Sequence, residues 1–163
     1  NVGKLIFMLR GINITDLLLL TKENIVVDRI VYMRAKTGKV YSIAINQYIE
    51  DVLSTFEANE TLLGLLDKNQ LKKENRTQAL HQKRKLINQH LKKIGQSIGA
   101  KEHLTTYVFR YSYANIAKSS GYSKDLIAEA LGHEYGNAIT GIYLEPFDLD
   151  EVDEMNERIL NMF

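Results

Sequence analysis

Five side chains suited to metal-free attack on a phosphodiester, Arg10, Lys36, Arg110, His133 and Tyr143, fall in that order along the chain. The last two lie within one short segment, Leu131-Gly132-His133 and, ten residues on, Ile142-Tyr143. A tyrosine hydroxyl has a pKa near 10, so only about one phenol in a thousand is ionised at neutral pH and attack on phosphorus needs help. Cations held at the non-bridging oxygens supply it, because negative charge grows there in the transition state. Guanidinium groups stay charged and present forked donors, which makes Arg10 and Arg110 candidates for the phosphate. The departing oxygen needs a proton, which a lysine such as Lys36 or a histidine such as His133 can deliver by general acid catalysis.

These residues must be positioned by regular elements. The first ten residues are apolar and helix-like, and a turn at Gly11 leads to a short buried helix over Asp16 to Leu20. Ile25 to Val27, Ile30 to Arg34 and Val40 to Ile45 are rich in β-branched residues and tyrosine, which predicts three short antiparallel strands with Lys36 at a hairpin tip. Beyond Asn46 the pattern is helical: Gln47 to Glu57, a connector with Gly64, a basic helix from about Thr77 to Ser97, and Thr105 to Ser119. In the last of these, Tyr107, Arg110 and Tyr111 share a face opposite Phe109, Tyr113, Ile116 and Ala117. Ser123 is placed to cap a helix that Gly132 ends, so His133 leaves a sharp turn. Asn137 is placed to cap a short helix through Tyr143 that Pro146 stops, and Val152, Met155, Ile159 and Leu160 fall on one face of a C-terminal amphipathic helix. The fold class is therefore α+β and mainly helical, with a small three-stranded antiparallel sheet packed against a helical bundle.

Bulk properties narrow the classes. The 163 residues are 45% hydrophobic and 25% charged, enough for one globular domain with a real core. No apolar run approaches the roughly 18 residues a membrane span needs. Cysteine is absent, which excludes disulfides and thiolate metal sites, and His81, His90, His103 and His133 lack metal-ligand spacing. The net charge of +1 conceals a partition. Residues 145–163 hold seven of the 20 acids against Arg158 alone, which leaves 20 basic and 13 acidic residues in 1–144. Lys68 to Lys101 carries ten of those basic residues and only Glu74 as an acid, a stripe able to track a phosphate backbone through Lys83, Arg84 and Lys85. Each residue also has a plainer reading: the arginines in ion pairs, Lys36 solvated in a turn, His133 at a helix dipole, Tyr143 as packing. Taken singly, none is specific.

As a set, Arg10 with an acidic partner at Asp16, Arg34-Ala35-Lys36-Thr37-Gly38, Tyr107-Val108-Phe109-Arg110, Leu131-Gly132-His133 and Ile142-Tyr143 resembles the catalytic domain of tyrosine recombinases, the phage-integrase family. In detail it looks closest to integrases and invertases of Bacteroidetes mobile elements. The resemblance implies a catalytic domain over 1–146, a C-terminal helix over 147–163 that contacts a neighbouring protomer, and a separate N-terminal DNA-binding domain outside this sequence. It implies that Tyr143 forms a 3′-phosphotyrosyl bond, that Arg10 and Arg110 hold the scissile phosphate, that Lys36 protonates the leaving oxygen and that His133 assists. Tyr107 stands where the family usually has histidine, as a hydrogen-bond donor to phosphate, and Asn13 stands where its first arginine usually lies, three residues before the acid.

Double-stranded DNA is the implied partner, contacted by Arg34, Lys39, Lys83, Arg84 and Lys85, with a tetramer on DNA, a monomer when free, no cofactor and no membrane. The implied location is the bacterial cytoplasm, on the nucleoid. Three other readings stay open: a DNA-binding relative without strand transfer, a type IB topoisomerase-like enzyme, and a helical domain whose basic stripe meets an acidic protein.

Overall fold

The computed structural model describes residues 1–132 and 147–163. The expected short helix through Tyr143, and His133 and Tyr143 themselves, lie outside the described residues. In chain order the elements are α1 (Val2–Met8), α2 (Ile14–Leu19), β1 (Ile25–Val26), β2 (Arg29–Met33), β3 (Val40–Ala44), α3 (Gln47–Leu53), α4 (Lys68–Leu71), α5 (Lys73–Ser97), α6 (Thr106–Ser119), α7 (Lys124–Leu131) and α8 (Leu149–Leu160). The chain is thus α+β, mostly helical, with one three-stranded antiparallel sheet of order β1-β2-β3. Among the described residues, no helix is long and apolar enough to cross a membrane.

The sheet follows from alternation. Ile30 and Tyr32 in β2 and Tyr41 and Ile43 in β3 point inward, while Met33 and Val40 are exposed. The register sets Ile30 opposite Ile43 and Tyr32 opposite Tyr41, whose rings stack at 5.0 Å. These side chains join Leu5, Leu9, Leu17 and Leu18 in one hydrophobic cluster. A second cluster gathers Tyr113 and Ala117 of α6, Leu126, Ile127 and Leu131 of α7, and Val152, Met155 and Ile159 of α8. Phe7 of α1 packs against both, meeting the Tyr113 ring edge-on at 5.7 Å.

Helix ends follow local chemistry. Asn13, Asn46, Asp67 and Ser123 each accept a hydrogen bond from a backbone N–H in the first turn of α2, α3, α4 and α7. The basic helix starts at Lys73, one turn before the expected Thr77, and α3 stops at Leu53, short of the expected Glu57. In α8 the buried residues Val152, Met155, Asn156, Ile159 and Leu160 follow i, i+3, i+4, i+7, i+8, and Asn156 donates to the Met8 carbonyl at the end of α1 (3.1 Å).

Candidate phosphate-binding groove

Helix α6 presents Arg110 as its periodicity predicts: Tyr113 and Ala117 are buried, while Tyr107 and Tyr111 are exposed and Arg110 is half-buried between them. Two backbone carbonyls fix its fork. Nη1 donates to the Gly11 carbonyl, and Nη2 donates to that of Leu131 (2.7 Å). The approach to Gly11 needs glycine twice over, since φ is +68° and a Cβ there would stand 2.7 Å from Arg110 Cγ.

A second guanidinium arrives from the β2–β3 hairpin. Arg34 Nη1 donates to the Gly132 carbonyl at 2.8 Å. Arg34 and Arg110 therefore rest on consecutive carbonyls at the C-terminus of α7, where a left-handed Gly132 ends the helix and leaves carbonyls in need of donors. Burial lowers the Arg110 pKa, and the nearby Arg34 charge lowers it further. Asp16, buried beside them, accepts from the Ala35 N–H (3.3 Å) and so ties the hairpin to α2. Burial raises its pKa; the Ala35 hydrogen bond and the charges of Arg34 and Arg110 oppose that rise.

Depressions in this face join through shared walls. One is lined by Asn13, Thr15, Asp16, Arg34, Ala35 and Lys36. A smaller one of about 190 Å³ shares Asn13 and adds Arg84, Thr106, Tyr107 and Arg110. A third shares Arg84 and continues past Lys85 and Lys92 to His103. The result is a groove whose charged lining residues, among the described residues, are basic except for Asp16. A hollow of about 570 Å³ elsewhere is mostly apolar, with Phe7, Phe109 and Phe163 in its wall, and among the described residues it holds none of the candidates.

The groove thus brings together Arg34, Lys36, Arg84, Lys85, Tyr107 and Arg110, with Lys36 exposed at the hairpin tip. Arg10 lines none of these depressions. It is 4% exposed and paired with Asp153 of α8, whose other oxygen takes Arg29 at 2.6 Å. The acidic partner expected for Arg10 at Asp16 is replaced by Asp153, while Asp16 faces Arg34 and Arg110 instead. Burial lowers the Arg10 pKa against the pull of Asp153. Lys39 is held by Glu129 of α7 at 2.6 Å, and Lys83 is half-buried on α5.

One placement carries no sequence signal: Arg10 and Asp153 are 143 positions apart. Arg84 is among the residues expected to contact DNA, but nothing in the basic stretch separates it from the other nine cations there. The donor set suits an anion: two anchored guanidiniums, a third on the opposite wall, an ammonium and a phenol. Among the described residues, no cluster of histidine and carboxylates could hold a metal ion. Comparison with protein-family models and with curated proteins found no match.

Proposed function

We propose that this chain is the strand-transfer domain of a site-specific DNA recombinase of the tyrosine type. One relationship supports the reading above all: the Arg34 and Arg110 guanidiniums sit on the carbonyls of Gly132 and Leu131, the two residues that lead into His133. Two cations packed this closely repel each other, and a phosphodiester between them relieves that repulsion most when its charge is greatest, in the transition state.

In this reading the Tyr143 hydroxyl passes its proton to the His133 imidazole as its oxygen bonds to phosphorus, the bond from phosphorus to the 5′ oxygen breaks, and Lys36 gives that oxygen a proton. The product is a 3′-phosphotyrosyl ester and a free 5′ hydroxyl. A second 5′ hydroxyl reverses the steps, so the ester bond energy is conserved and neither ATP nor metal is consumed. Arg110 and Arg34 hold the phosphate, Tyr107 donates to it, and His133 assists proton transfer. Arg10 anchors α8 through Asp153. Lys85 and Lys92 extend the contact along the duplex.

The test is a pool of nicked duplexes of random sequence, which trap a cleaved strand, resolved by denaturing electrophoresis. A covalent adduct that disappears in Tyr143→Phe is expected. Salt-sensitive DNA binding with no adduct from the unaltered protein overturns strand transfer and leaves a DNA-binding relative.

A further inference from the structure

The small depression at the middle of the groove is walled by Asn13, Arg84, Thr106, Tyr107 and Arg110, together with the apolar Ile12 and Ile14. Its polar groups are biased toward donation. Asn13 Oδ1 already accepts from the Thr15 N–H at 2.9 Å, which leaves the amide NH₂ as that side chain's donor end. The Thr106 N–H is taken by Asn88 Oδ1 at 2.8 Å, which fixes the start of α6 against α5 and so sets Arg84 opposite Arg110. Among the described residues, no acid lines the depression and no carboxylate pairs with Arg84. Lys85 and Lys92, by contrast, line outer depressions and not this one.

Resting on the strand-transfer reading, we infer that Arg84 joins Arg110 in holding the reacting phosphate itself. It is a catalytic residue, distinct in role from the backbone contacts of Lys85 and Lys92. A guanidinium entering from α5 closes the side of the phosphate that the hairpin does not reach, and Asn13 has no charge with which to do so. Arg84 is exposed, so its substitution leaves the fold intact, unlike that of Arg110, whose fork is tied to two carbonyls.

The experiment titrates dimethyl phosphate into this chain and follows the Nε–H resonances of Arg84 and Arg110. Both are expected to move with one dissociation constant. Arg84→Gln should weaken that constant at least tenfold, with Arg84→Lys intermediate, and Lys92→Gln should change it less than twofold. If Arg110 responds and Arg84→Gln leaves its curve unchanged, the inference is overturned. Nicked duplexes separate the two readings. An adduct formed by Arg84→Gln at the unaltered rate under saturating DNA overturns the role of Arg84 and leaves strand transfer standing. A shared phosphate response with no adduct from the unaltered protein supports the two-arginine site and refutes strand transfer.

Discussion

Arg34 Nη1 donates to the Gly132 carbonyl at 2.8 Å, so the hairpin that carries Lys36 is fastened to the residue that precedes His133. That bond couples the proposed general acid to the proposed phosphate site. Arg34→Ala removes both the tether and a cation. Loss of one preorganised donor to a transition-state oxyanion typically lowers rate by about 10²–10³-fold. Adduct formation on nicked duplexes should fall by that order, while a urea melt should show only about 1 kcal/mol of lost stability, because the group is half-buried. A rate unchanged at saturating DNA would place Arg34 outside the chemistry.

Gly132 meets two demands at once. Its φ is +67°, and a Cβ built on it would stand 0.8 Å from Tyr41 Oη and 2.0 Å from Tyr41 Cζ. Gly132→Ala therefore forces Tyr41 to move and adds about 1–2 kcal/mol of left-handed strain. Thermal denaturation should show a large loss of stability. Adding Tyr41→Phe should not restore it, since the ring carbon collides as well as the hydroxyl, whereas Tyr41→Ala should recover part. Full rescue by phenylalanine would contradict this geometry.

Arg10 and Asp153 form an unequal pair. Arg10 has lost nearly all its water, while Asp153 keeps Arg29 as a second partner. Removing one partner of a buried pair costs about 3–5 kcal/mol when the other charge is stranded. Asp153→Asn strands Arg10 and should cost that much; Arg10→Met leaves Asp153 with Arg29 and should cost less. If Arg10 only anchors α8, Arg10→Met also leaves the response of Arg110 to dimethyl phosphate unchanged. A tenfold weaker response would return Arg10 to the phosphate.

The salt dependence of DNA binding should sort the lysines. Neutralising a side chain that meets one phosphate makes the slope of log K against log salt shallower by about 0.9. Lys85→Gln and Lys92→Gln should each do so, because both side chains line the groove. Lys39→Gln should leave the slope nearly unchanged, since its ammonium is held by Glu129 at 2.6 Å. Equal slopes for all three variants would show that the groove is not the DNA path.

Much of the scaffold was legible because its signals are local. Runs of β-branched residues and tyrosine marked the three strands to within a residue or two, and Ser123 and Gly132 bounded α7 as capping chemistry requires. The face of α6 that holds Arg110 followed from spacing alone. Long-range pairing was not legible. The sequence suggests Asp16 for Arg10 because the two are close in the chain, but the left-handed backbone at Arg10 and Gly11 reverses direction between them. Arg10 then meets α8, and Asp16 meets the hairpin. Nor does periodicity within α5 mark Arg84, because what distinguishes it is the α6 wall across the depression.

Asp16 gives the groove a pH-dependent cost. Burial raises its pKa above the ordinary 3.8 despite the Ala35 N–H, Arg34 and Arg110. The native chain thus binds this proton more tightly than the unfolded chain, and stability must fall as pH climbs from about 4 through the raised value. Asp16→Asn removes that descent, and its carbonyl oxygen still accepts from Ala35. The stability advantage of the asparagine variant over the unaltered chain should therefore grow across this window and level off above it, as read by urea melts at successive pH values. Losing the carboxylate also leaves Arg34 and Arg110 without their compensating charge, so dimethyl phosphate should bind the variant more tightly at pH 7. Parallel stability curves for the two proteins would mean that burial of Asp16 is not the source of the shift, and weaker phosphate binding would mean that its tether to the hairpin outweighs its charge.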